Sequence, residues 1–191
     1  MIEMKGKRIT VFGGSQPKPG DEDYLQALRF GALLGSAGFT VLTGGYIGTM
    51  EAVSHGAAEN GGHVIGVTCE EIEAWRPIRA NPWVQEEMRF KTLRQRLFAL
   101  IENCDAAVVM PGGVGTLAEL AEMWSHLQAG IIEPRPLILV GAGWQAVLDQ
   151  FFKSLGAFVP DPYRKFLSFA ENADKAFAML QSWDGASIAR E

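Results

Sequence analysis

The sequence predicts an α/β protein of the doubly wound, Rossmann-like kind, a mainly parallel sheet in a three-layer α/β/α arrangement. Three observations predict it. Short apolar, β-branched runs alternate with longer amphipathic runs along the whole chain. One run, Ala106–Met110 (AAVVM), is apolar throughout, as a strand covered on both faces must be. Three strand ends open into glycine-rich turns: Gly13-Gly14-Ser15, Thr43-Gly44-Gly45 and Pro111-Gly112-Gly113.

Each element follows from local signals. Arg8–Phe12 reads as a buried strand, and the acidic start Asp21-Glu22-Asp23 opens an apolar-periodic helix to about Ala37. Phe39–Leu42 is the second strand, followed by a helix from Gly48 to about Asn60 that Gly61-Gly62 stops. His63–Val67 is the third strand. The stretch Glu70–Pro82, with Trp75, Pro77 and Pro82, reads as a packed irregular loop and a candidate lid. Val84, Met88, Leu93, Leu97, Leu100 and Ile101 fall at helical spacing, which predicts one helix over Val84–Asn103. After Ala106–Met110, a helix runs to about Ala129, burying Leu117, Leu120, Ala121, Trp124 and Leu127. Pro136–Val140 is a strand and Trp144–Leu155 a helix. A turn at Asp161-Pro162, a short strand Phe166–Phe169 and a helix near Ala173–Trp183 complete the chain. No repeat or low-complexity linker divides it, so residues 1–191 are expected to form one domain.

Composition narrows the function. The formal net charge is −5 and the basic residues are dispersed, which argues against a nucleic-acid partner and requires any anionic ligand to be held locally. No apolar run reaches the length of a membrane span, and MIEMKGKRIT has no apolar signal core, so a cytoplasmic protein is expected. Cys69 and Cys104 lack CxxC spacing or nearby histidines and read as buried small hydrophobes. His55, His63 and His126 lack ligand spacing to one another, so no metal is expected. The seven lysines all lie outside the glycine loops, which removes a pyridoxal phosphate reading; no cofactor is expected.

The chemistry-bearing segment is Pro111–Glu122, PGGVGTLAELAE. Glycines directly after a buried strand let backbone N–H groups approach an anion that also feels the positive end of a helix. No Gly-Lys-Ser/Thr follows, and the first strand lacks GxGxxG, so neither a P-loop ATPase nor a dinucleotide site is indicated. Helix stability alone offers another account, a capping box between Thr116 and Glu119. The second loop, with Gly44, Gly45, Gly48, Thr49 and Met50, and the first, with Gly14 and Ser15, admit the same two readings, ligand contact or turn chemistry. Tyr46 lies beside the second loop, and Arg89, Lys91 and Arg94 read as a solvated face.

Together these residues resemble the Lonely Guy (LOG) family of cytokinin-type nucleoside 5′-monophosphate phosphoribohydrolases, some of whose members carry the label possible lysine decarboxylase. Its PGGxGTxxE motif stands here as Pro111–Glu119, its GGxxGxM loop as Gly44–Met50 and its Gly-Ser strand end as Gly14-Ser15. The family's motif arginine falls on Arg96; the lysine that usually follows is Leu97 here, and the glycine that often follows the loop methionine is Glu51. The resemblance implies hydrolysis of the N-glycosidic bond of a nucleotide of the AMP or modified-AMP type, giving free base and ribose 5-phosphate. Glu119 would stabilise charge at the sugar or activate water, and Arg96 would hold Glu119 and ligand oxygens. Gly14, Ser15, Gly44, Gly45, Gly48, Thr49, Met50, Gly112, Gly113, Gly115 and Thr116 would bind substrate and phosphate. Glu122, one turn from Glu119, is either an assisting carboxylate or a solvated or subunit-facing one. The resemblance also implies a homodimer or a dimer of dimers. The competing class is a carrier that holds a phosphorylated ligand, such as a molybdenum cofactor, without turning it over.

Overall fold

A computed structural model describes residues 6–183. Seven strands form one sheet in the order β4-β3-β2-β1-β5-β6-β7: β1 (Arg8–Phe12), β2 (Thr40–Thr43), β3 (His63–Cys69), β4 (Glu86–Phe90), β5 (Ala106–Val109), β6 (Leu137–Val140) and β7 (Leu167–Ala170). Every pairing is parallel. The helices are α1 (Glu22–Ser36), α2 (Thr49–Glu59), α3 (Glu70–Trp75), α4 (Leu93–Glu102), α5 (Val114–Ala129), α6 (Ala142–Leu155), α7 (Asp161–Arg164) and α8 (Ala173–Ser182).

Alternation of side chains along each strand splits the core in two. Ile9, Val11, Val41, Val108 and Ile138 pack under α1, α2 and α8; Phe12, Leu42, Ile65, Val109 and Leu139 pack under α4, α5 and α6. The three expected layers are therefore present. β1 and β5 lie side by side, with Ile9 against Ala106 and Phe12 against Val109, and the chain leaves them toward opposite edges of the sheet. Their carboxyl ends thus form the switch point where α/β sheets place ligands.

Three expectations are corrected. On α5, Leu117 and Ala121 are exposed rather than buried, while Leu120 and Leu127 do pack in the core. Glu70–Pro82 is not wholly irregular, since Glu70–Trp75 forms α3. Val84–Asn103 is not one helix: Glu86–Phe90 forms the edge strand β4, and the helix begins only at Leu93. The reason is local. Thr92 accepts a hydrogen bond from the Gln95 N–H while the Gln95 side chain accepts one from the Thr92 N–H, a reciprocal cap that fixes the helix start. The remaining boundaries move by one or two residues, and the Asp161-Pro162 turn is the start of α7. Among the described residues, no helix is long and apolar enough to cross a membrane.

Candidate active site

The three glycine loops meet through their backbones. The Gly14 N–H donates to the Pro111 carbonyl at 3.0 Å, and the Gly14 carbonyl accepts from the Thr49 N–H at 2.9 Å, so the first loop joins the β5 loop to the start of α2. Gly48 has φ of +74°, and a Cβ there would lie 2.6 Å from the Gly14 carbonyl oxygen, so both conformation and space require glycine. A Cβ on Gly13 would strike the Thr49 side chain. Gly45, also at positive φ, is fixed by Asn81, whose buried amide donates to the carbonyls of Gly45 (3.1 Å) and Tyr46 (2.9 Å). Sequence reasoning missed Asn81 because it lies in a segment read as loop; its signal, an Asn-Pro pair, names a turn but not its partner.

Beside this junction lies a cleft of about 300 Å³ lined by Gly14, Gln16, Pro17, Asp21, Asp23, Pro111, Gly112 and Gly113. Its floor is the start of α5. The helix N-cap is Gly113, which supplies no side-chain cap, so the capping box read between Thr116 and Glu119 does not form. The N–H groups of the first turn are left to solvent or to an anion. Gly113 and Gly115 have no atom within 4 Å of an added Cβ, and neither has a positive φ. Neither neighbouring atoms nor a positive φ therefore requires glycine at these two positions. Ser15, Thr49 and Thr116 make no side-chain hydrogen bond among the described residues, although Thr49 and Thr116 are buried.

Arg96 and Glu119, far apart in sequence, come together on the α4/α5 side of this junction. Arg96 is 5% exposed, and its Nη1 lies 3.6 Å from Glu119 Oε1. Its Nε donates to the Val67 carbonyl at 2.7 Å, its Nη2 approaches Met50 Sδ at 3.9 Å, and its guanidinium stands 5.7 Å from the Tyr46 ring centre. A Cβ on Gly44 would collide with Arg96 Nη2, so that glycine clears the space the guanidinium fills. Burial pushes the Glu119 carboxyl up from 4.5 to about 7, against the opposing attraction of Arg96. The site therefore holds a carboxyl that exchanges a proton near neutral pH beside a guanidinium with donors still available.

Other candidates fall outside this pair. Glu122 turns to His126, with Oε1 3.6 Å from Nδ1, and its side chain is 40% exposed. Leu97 packs against the core beneath α4. Glu51 lies in the first turn of α2 and helps to raise the pKa of Tyr24, after burial of that phenol. Arg89 sits on β4 rather than on a helix face and pairs with Glu73. His55 stacks on Trp83 with ring centres 3.9 Å apart, and His63 faces Glu86 at 3.0 Å. Cys69 and Cys104 are buried free thiols. Among the described residues, no group of three His, Cys, Asp or Glu side chains is placed to hold a metal ion.

The chain is similar to several known proteins. The family model described as "Possible lysine decarboxylase" matches residues 50–180. A cytokinin riboside 5′-monophosphate phosphoribohydrolase of Arabidopsis thaliana is 31% identical over 185 residues, 95% of this chain and 86% of that protein. A pyrimidine/purine nucleotide 5′-monophosphate nucleosidase of Escherichia coli is 32% identical over 194 residues, 96% of this chain but 39% of that longer protein. Among solved structures, the molybdenum cofactor binding protein of Rippkaea orientalis superposes with a TM-score of 0.72 at 23% identity, covering 94% of this chain and 98% of that one, a likeness of fold.

Proposed function

The chain belongs to the Lonely Guy family, and from that membership and the site geometry we propose that it is a phosphoribohydrolase, cleaving the N-glycosidic bond of nucleoside 5′-monophosphates of the AMP or modified-AMP type. The observation that carries this reading is the Arg96–Glu119 pair, set 3.6 Å apart beside an uncapped helix start. Glu119 lies six residues into the helix from Gly113, roughly 9 Å along its axis at 1.5 Å per residue. Side chains lean back toward the helix N-terminus, so a phosphate at the first turn and the sugar carbon attached to it fall within reach of the same helix.

In this reading the N–H groups of Val114, Gly115 and Thr116 bind the 5′-phosphate, with the Thr116, Thr49 and Ser15 hydroxyls as further donors and Gly14, Gly44, Gly45, Gly48 and Gly112 letting backbone approach the sugar. As the C1′–N bond breaks, its electron pair leaves with the base and positive charge grows on the ribose. Ionised Glu119 stabilises that charge, accepts a proton from the attacking water as the water oxygen bonds to C1′ and passes that proton to the departing base, and Arg96 fixes the carboxylate and ligand oxygens. The products balance as free base and ribose 5-phosphate. We read residues 1–191 as one cytoplasmic unit acting as a homodimer or dimer of dimers. Val114 and Leu117, 85% and 45% exposed on α5 beside the site, are apolar surface that a second copy would cover.

The test is release of free base and ribose 5-phosphate from a panel of nucleoside monophosphates by the wild type, Glu119→Gln and Arg96→Met. Turnover lost by a hundredfold or more in both variants is expected, in line with the roughly 10²–10⁴-fold typical of a general base. A wild-type kcat/KM rising with pH to a plateau above about 7 is expected with it. Tight nucleotide binding without turnover would refute the reading and favour a carrier of phosphorylated ligands.

A further inference from the structure

Helix α3 is six residues long and none of them is buried, so neither core packing nor intrinsic helix stability accounts for it. Polar contacts hold it instead, and they end on the elements that present Arg96. Glu71 Oε2 accepts from the Leu93 N–H at 2.7 Å, placing a carboxylate on the first residue of α4, and the Glu71 N–H donates to the Lys91 carbonyl at 3.3 Å. The Glu73 side chain, only 10% exposed, takes Arg89 of β4 in a two-pronged pair, with Nη1 3.0 Å from Oε1 and Nη2 2.7 Å from Oε2. Arg79 adds a looser contact at 3.6 Å, and Glu73 Oε1 lies 3.5 Å from the Tyr46 hydroxyl. Tyr46 is the link to the site. Its hydroxyl accepts from the Cys69 N–H at 2.9 Å and lies 3.2 Å from the Cys69 carbonyl, while its ring stands against the Arg96 guanidinium.

We propose that α3 is a brace for the site and that Glu73, itself tied to β4 through Arg89, is a positioning residue, holding Tyr46 against Arg96 so that the guanidinium faces Glu119. The kinetic consequence rests on the hydrolase reading above; the geometric one does not. Glu73 touches no reacting atom in this scheme. Its loss leaves Arg89 only the 4.0 Å contact to Glu87 and removes the carboxylate beside the Tyr46 hydroxyl, so that the Tyr46 ring shifts and Arg96 swings from Glu119. A misplacement of about 1 Å suffices to cost up to a hundredfold in rate.

The experiment uses the full chain as wild type, Glu73→Gln and Arg89→Met. The titration of Glu119 is followed by carbon-13 NMR of glutamate-labelled protein, with Glu119→Gln to assign the signal, and kcat and KM are measured on the best nucleotide. The charged and titratable groups around Glu119 are Arg96 from α4 and, further along α5, Glu122 and His126; both variants leave all three in place. With Arg96 drawn away, the Glu119 midpoint rises by about half a pH unit or more in both variants. Turnover falls about tenfold or more with KM held within about threefold. An unmoved midpoint in either variant that keeps the wild-type fold by circular dichroism overturns the proposal. If Glu73→Gln does not fold, Arg89→Met decides alone, and failure of both to fold makes the pair structural and overturns it too. A shifted midpoint in a protein without hydrolase activity keeps the brace and sinks the function; hydrolysis with an unmoved midpoint does the reverse.

Discussion

Replacing Glu119 with glutamine turns the burial of one carboxyl into a pH-dependent stability difference. The folded-state value is about 7 against an ordinary 4.5, so between those two values the folded protein binds a proton that the unfolded chain has released. Stability from this group is therefore fully present below pH 4.5 and is lost as pH rises through 7. The shift of about 2.5 corresponds to about 3 kcal/mol at 1.36 kcal/mol for each tenfold step. The side chain is 13% exposed, so solvent screening removes only a minor part. Glutamine keeps the shape and does not titrate. The stability of Glu119→Gln relative to wild type should rise by about 2–3 kcal/mol between pH 4.5 and pH 8.5, whatever its offset at low pH. Urea unfolding of the ligand-free proteins at half-unit intervals measures the difference, and with the substitution confined to one side chain the m-values should agree. A difference that stays flat across this range would refute the argument that burial outweighs the attraction of Arg96.

Two further substitutions separate what the glycines do. Gly115→Ala meets no atom within 4 Å and lies in the first turn of α5, so it should leave stability unchanged or raise it by up to about 1 kcal/mol. It should nevertheless weaken nucleoside monophosphate binding at least tenfold in titration calorimetry; unchanged affinity would mean that the helix start is not the phosphate site. Gly44→Ala forces a methyl into the Arg96 guanidinium and should cost about 1–3 kcal/mol in urea unfolding together with most of the activity, whereas retention of both would show that Arg96 has room to move.

The sheet was legible in the sequence because its central strands are mostly apolar and three of them, β1, β2 and β5, open into glycine turns. β1, β2, β3 and β5 bury nearly every residue, a pattern that burial on both faces imposes. β4 has no such signature. None of Glu86–Phe90 is fully buried, and its Met88 happens to continue the spacing of the helix beyond it, so periodicity alone merged the two. The Thr92-x-x-Gln95 cap was the available sign of the true boundary. The site shows the same division. Glycines and the Arg96–Glu119 pair could be named because a motif and a parallel sheet bring strand ends together. The Thr116–Glu119 cap, equally legible by spacing, does not form because the helix starts earlier, with Gly113 as its N-cap and Thr116 already inside the first turn.

What stayed hidden is the layer behind the pair, and the reason is physical. Asn81, Glu73, Arg89 and the Tyr46 hydroxyl act through long-range polar contacts that leave no periodicity, since each depends on where a partner lies in space rather than on its spacing in the chain. Hydrophobic patterning reports burial, and α3 buries none of its residues. Yet a desolvated arginine must be aimed by groups that are themselves fixed. An edge strand and a six-residue helix with weak sequence signals are therefore where such support can be carried, because their residues are not committed to the core.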